Sequence, residues 1–174
     1  MTSKRLRLTA LALVILTMAS GCTTTPKPEP TPTPAFASEE EAFEAAEKTY
    51  REYIDAVNAR IAGETSPDPQ DYLIGLALET DIDTERFMAE QGYRTTGAMS
   101  IASFSGSEVR FRARDATITA TICLDASEIQ LLDSAGTNIT PVDREDVVAQ
   151  LVEFVGTGPE LKVLEESEGP AGEC

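Results

Sequence analysis

Residues 38–62 read SEEEAFEAAEKTYREYIDAVNARIA, and the reading of this stretch decides the fold. Ser38 followed by Glu41 is a capping box: a serine hydroxyl serves the third helical N–H, and a glutamate reaches back. Glu39, Glu40 and Glu41 place negative charge at the positive end of a helix dipole. Phe43, Ala46, Tyr50, Tyr53, Ile54, Val57 and Ile61 then recur at steps of three and four, one apolar stripe on a helix of about 24 residues that stops before Gly63. The opposite side carries Glu44, Glu47, Lys48, Arg51, Glu52 and Asp55. A stripe of this composition is core, and it needs a partner layer.

The rest of the chain supplies one. Pro69 to Leu78 reads as a short apolar helix. Asp83 reads as the cap of a third helix, Thr84 to Gln91, with Gly92 as its stop. Beyond Gly92 the period changes from 3.6 to 2. Strands are expected over Thr95–Phe104 and, after a turn at Ser105-Gly106-Ser107, over Glu108–Arg114. A third runs Asp115–Asp125, where Ile118, Ala120, Ile122 and Leu124 alternate with Thr117, Thr119, Thr121 and Cys123. Ile129–Leu132 is a further short strand before the turn Asp133–Gly136. Val147–Val155 and Leu161–Leu164 form a last hairpin across Gly156–Pro159. Helices first and consecutive antiparallel strands afterwards give an α+β domain, with a curved sheet packed around the long helix.

Upstream, Lys4, Arg5 and Arg7 precede a twelve-residue apolar run, Leu8 to Ala19, too short to span a bilayer but of the length of a secretory h-region. Ala19-Ser20-Gly21 offers small residues for a peptidase, and Cys22 follows at once. Residues 1–22 resemble the lipobox leader of bacterial lipoproteins, although that family usually has Leu, Val or Ile where this chain has Ala19. The resemblance implies that residues 1–21 are a signal peptide, that the Cys22 sulfur carries a diacylglyceryl (palmitate-type) anchor, and that the protein sits outward-facing on a cell membrane. Residues 22–37 hold Pro26, Pro28, Pro30, Pro32 and Pro34 at alternate positions. Such a Thr/Pro-rich linker is extended and solvated, roughly 45 Å long if taut. The folded domain is therefore expected over residues 38–174.

Composition bounds the function. The net charge is −16, and loss of the leader makes the rest three units more negative. A surface of that sign repels nucleic-acid phosphates and anionic headgroups, so membrane attachment would come from the lipid. Histidine is absent, which excludes Ser-His-Asp and Cys-His catalysis and HExxH metal sites. No cofactor is expected. Asp81–Glu85 lacks the glycine and distal glutamate of a calcium loop, so no metal is expected either. Arg110, Arg112 and Arg114 share one face of a strand and read as a solvated row. In an exported chain, Cys123 and Cys174 are most simply a disulfide that ties down the tail; a catalytic thiol, with no CxxC or His beside it, is the lesser alternative.

The long helix, "GYRTTGAMSIASF", "ATITATICLDAS" and the terminal Cys174 resemble small bacterial lipoproteins with an NTF2-like (cystatin-like) domain. That resemblance implies a cone of helices and sheet, and a structural pairing of Cys123 with Cys174. A tryptophan common in the last hairpin is missing; Leu161 stands in its region. Such cones hold small apolar ligands, and some, such as ketosteroid isomerase, use a pocket carboxylate with a tyrosine. Tyr50, Tyr53 and Tyr93 are the ligand-binding candidates, with Tyr72, Asp115 and Asp125 as further possible members of an acid–phenol pair. The leading expectation is a non-enzymatic module that binds a small apolar ligand or an envelope protein. An isomerase- or hydrolase-like enzyme and a structural envelope component are the alternatives.

Overall fold

The structure is a computed structural model that describes residues 34–170 and 172–174. The leader, Cys22 and most of the linker lie outside the described residues. Two helices and antiparallel sheets make an α+β fold. Helix α1 spans Glu39–Ile61 and helix α2 Gly75–Gln91, with a 3-10 turn at Pro69–Tyr72 between them. Strands β1 (Arg94–Thr96), β2 (Ser100–Arg112), β3 (Asp115–Asp125), β4 (Gln130–Leu132), β5 (Val147–Thr157) and β6 (Glu160–Glu168) follow. The main sheet has the order β2-β3-β5-β6, and β1 and β4 form a separate ribbon.

Helix α1 begins as its sequence dictates. Ser38 Oγ accepts from the Glu41 N–H at 3.1 Å. The reciprocal bond is shifted by one residue: the Ala37 N–H donates to Glu41 Oε2 at 2.8 Å. Phe36 is buried and Ala35 packs on the core, so the folded unit starts before Ser38, because an aromatic side chain at the linker's end has a core to enter. The buried side of α1 is Ala42, Ala46, Thr49, Tyr50, Tyr53, Ile54 and Ala56. It faces Ile118, Ala120 and Ile122 of β3, Val152 and Phe154 of β5, and Val163 of β6. Ala42 and Ala46 let the helix approach closely; Tyr50 and Phe154 meet edge-on, 6.0 Å between centroids. Asn58 fastens the helix's far end, its Nδ2 donating to Met99 O and its Oδ1 accepting from Met99 N, both at 2.9 Å.

Four expectations are corrected. Ser105-Gly106-Ser107 is not a turn: β2 runs through it as one strand with register shifts at Ile101/Ser103 and Gly106/Glu108. The glycine serves packing, since a Cβ there would lie 2.2 Å from the Phe43 ring. The strand expected from Thr95 begins in the β1–β4 ribbon and resumes only at Ser100. Asp83 caps nothing; it lies inside α2 and pairs with Arg86 at 2.8 Å. Helix α2 starts instead at Gly75, where the Ile74 N–H donates to Val163 O and tertiary contact with β6 replaces a side-chain cap. Gly92, at φ +66, ends it as expected. Finally, β6 continues to Glu168, four residues past the expected end at Leu164.

Candidate functional site

Tyr50 and Tyr53 are three residues apart on α1, so their side chains point the same way; their rings lie 5.5 Å apart. Opposite them stands Glu166 of β6. Tyr50 donates to Glu166 Oε1 at 2.7 Å and Tyr53 to Glu166 Oε2 at 3.3 Å. Glu166 reaches this inner face through a register shift. Phe154 pairs with Val163 but Glu153 with Glu165, so Leu164 is skipped and Glu166 falls opposite the buried Val152. Without the shift, Glu165 would have pointed inward.

A second group adjoins the first. Arg60 binds Asp81 with two nitrogens, at 2.6 and 3.0 Å, Gln70 adds a bond to the same carboxylate at 3.1 Å, and Glu85 lies 3.4 Å from Arg60 Nε. Asp81 is only 10% exposed. Between the groups is an open cleft of about 220 Å³ lined by Tyr53, Ala77, Thr80, Asp81, Thr84 and Glu166. Tyr50 has no exposed surface and lies behind Glu166.

The environment sets the protonation chemistry. Burial pushes the Glu166 carboxyl above the usual carboxylate range; the two phenol bonds oppose this and the nearby Asp81 charge adds to it. Burial, with the Glu166 charge behind it, raises both phenols above the ordinary tyrosine range. Both tyrosines are therefore hydrogen-bond donors, not bases. Arg60 is committed to Asp81 and Glu85, so the cleft offers hydroxyl donors and carboxylate acceptors but no unpaired guanidinium.

The structure brings together two of the three tyrosine candidates. Tyr93 is not in the cleft; it packs edge-on against Phe87, at 6.1 Å. Asp115 is exposed at the β2–β3 hairpin, and Asp125 accepts from the Ser127 N–H at 2.9 Å; neither is the tyrosines' acid. That acid is Glu166, which lies beyond Leu164, the expected end of the last strand. Two hydroxyls on the buried stripe of α1 were the available signal, since a buried phenol needs an acceptor. Asp81, considered above for calcium, is held by Arg60. The Arg110 side chain is tied to Glu108 by two bonds of 2.6 and 2.8 Å.

Cys123 and Cys174 lie at disulfide distance, Cα–Cα 5.7 Å. The tail they pin borders a wider groove of about 660 Å³ between Val147–Gln150 and Glu168–Pro170, which contains none of the candidate tyrosines. Among the described residues no helix is long and apolar enough to cross a membrane.

No protein-family model and no curated protein matches the chain. Among solved structures, the fold is similar to the crystal structure of the intermembrane space region of the chloroplast protein ARC6. That similarity has 18% sequence identity, covers 72% of this chain and 95% of that chain, and has a TM-score of 0.49.

Proposed function

We propose that this protein is a lipid-anchored, outward-facing module of NTF2-like type that acts by binding, without catalysis, to another envelope protein or a small ligand at its surface. The observation that carries the non-catalytic part is the filled interior. Tyr50, Ile118, Ile122, Val152, Phe154 and Val163 have no exposed surface and occupy the space that an open cone would leave for an apolar ligand. Close packing of this kind leaves binding to the outer surface and the small polar cleft. The leader resemblance carries the location: Cys22 would hold the anchor, the Thr/Pro-rich linker would set the domain off the membrane, and an exported Cys123–Cys174 pair would be oxidised there.

Titration with the neutral dye Nile red tests the filled interior. The reading expects no saturable binding to the native chain. Stoichiometric binding that disappears when the core is narrowed by Ala120→Leu overturns it. The enzyme reading rests on a different observation, the Tyr53–Glu166 pair at the cleft, where a carboxyl of raised proton affinity meets a phenol donor. It predicts a turnover lost in Glu166→Gln. The same cleft, as a plain binding site, predicts weakened ligand affinity with no turnover to lose.

A further inference from the structure

Glu166 is a buried acid that the fold leaves without a cation. Its two oxygens accept from phenols, Tyr50 at 2.7 Å and Tyr53 at 3.3 Å, and it forms no ion pair among the described residues. Asp81, on the same cleft, is matched differently: Arg60 and Gln70 hold it, and Arg60 is already shared with Glu85. Phenols satisfy hydrogen bonding but bring no opposite charge. A carboxylate oxygen accepts two bonds, so each oxygen of Glu166 keeps an acceptor site.

That acceptor is within reach of solvent. Glu166 lines the open cleft of about 220 Å³ together with Tyr53, Ala77, Thr80, Asp81 and Thr84. Thr80 and Thr84 are four residues apart on α2 and share a face; both are exposed, and their hydroxyls can accept as well as donate. Ala77 adds a methyl group and Tyr53 a ring.

These groups define a guest. It is small, because the cleft is below the roughly 300 Å³ at which drug-sized pockets begin. It is not an anion, which would meet two carboxylates. It is not a metal ion: no group of three or more His, Cys, Asp or Glu side chains among the described residues could hold one, and the phenols turn their protons towards Glu166. A primary ammonium fits on each count. It brings the charge that Glu166 lacks, it donates to several oxygens at once, and a short alkyl tail can lie against Ala77 and the Tyr53 ring.

We propose, on the reading of the cleft as a binding site rather than an active site, that it takes a small primary ammonium, with the nitrogen held by Glu166, Thr80 and Thr84 and the alkyl part against Tyr53 and Ala77. Asp81 stays with Arg60 and adds only to the negative potential of the cleft.

The test is a titration of the full chain with n-butylammonium chloride, followed by backbone amide chemical shifts, with n-butanol and sodium butyrate as controls at equal ionic strength. n-Butylammonium is expected to shift the amides of Ala77, Thr80, Thr84 and Glu166 saturably, and neither control should. Glu166→Gln keeps the shape and an acceptor oxygen but removes the charge, and should weaken binding roughly tenfold or more. Thr80→Leu, at an exposed helical position that tolerates substitution, keeps both carboxylates and fills the cleft; it should abolish the shifts. An absence of saturation, equal binding of n-butanol, or unchanged affinity in either variant overturns the proposal. The Nile red titration reads the interior separately. Failure of n-butylammonium without Nile red binding strikes only the ammonium, whereas stoichiometric Nile red binding strikes the filled interior and leaves the cleft result standing.

Discussion

Removing the Tyr50 hydroxyl has a calculable cost. In Tyr50→Phe the ring still fills its place, but Glu166 Oε1 loses a 2.7 Å donor at a site with no access to water from the ring side. A hydrogen bond to a charged group contributes about 1.5–3 kcal/mol, so stability should fall by about 2 kcal/mol. For a domain of this size that is roughly 6–8 °C in Tm. Tyr53→Phe should cost less, about 0.5–1 kcal/mol, because its bond is 3.3 Å long and water in the cleft can take its place. Glu166→Gln removes a buried charge but leaves one phenol without its best acceptor. The double variant Tyr50→Phe/Glu166→Gln should therefore be more stable than the sum of the single effects by about 1 kcal/mol. The pH dependence carries a definite sign. Glu166 has a raised folded-state value, so the folded protein binds that proton more tightly than the unfolded chain. Its contribution to stability is present at low pH and is lost as pH rises from the ordinary glutamate value through the raised one. Urea unfolding of the full chain at several pH values, with and without Glu166→Gln, reads both effects. Strict additivity of the double variant, or a Glu166→Gln protein with an unchanged stability-versus-pH slope in that window, refutes the reasoning.

Three further outcomes follow from the packing. Replacing Cys123 and Cys174 by serine opens a loop of sequence separation 51 and should cost about 4 kcal/mol in the chain-entropy account, read as a lower urea midpoint than that of the oxidised wild type. Asn58→Ala leaves both backbone groups of Met99 without their partner and should cost about 2 kcal/mol; differential scanning calorimetry checks it. Ala113 turns the β2–β3 hairpin at φ +55, a region costly to residues with a Cβ, so Ala113→Gly should stabilise by about 0.5–1 kcal/mol, seen as a raised Tm.

The elements with one strong local cause were legible. α1 carries its own cap and an unbroken stripe, and β3 alternates between buried and half-buried positions from Ala116 to Ile122. Gly92 and the Asp133–Gly136 turn, where Asp133 accepts from the Ala135 and Thr137 N–H groups, announce themselves by residue type. What was hidden depended on distant contacts. Gly106 looks like a turn until Phe43 is laid over it, and Asp83 looks like a cap until β6 receives Ile74. The site followed the same division. Tyr50 and Tyr53 were visible on the helix stripe. Their acceptor was not, because a skipped residue at Leu164 reverses which glutamate of the run Glu165-Glu166 faces inward, and nothing local to that run encodes the reversal. Tyr93 was drawn into the candidate set by its residue type, whereas Phe87 provides its packing.

The account stands most directly on the intact mass of the membrane-extracted protein, measured without reductant. It predicts a chain that begins at Cys22, carries a diacylglyceryl group on that residue, and is lighter by two hydrogens for the Cys123–Cys174 bond. An unmodified chain beginning at another residue, or one with both thiols free, would contradict it.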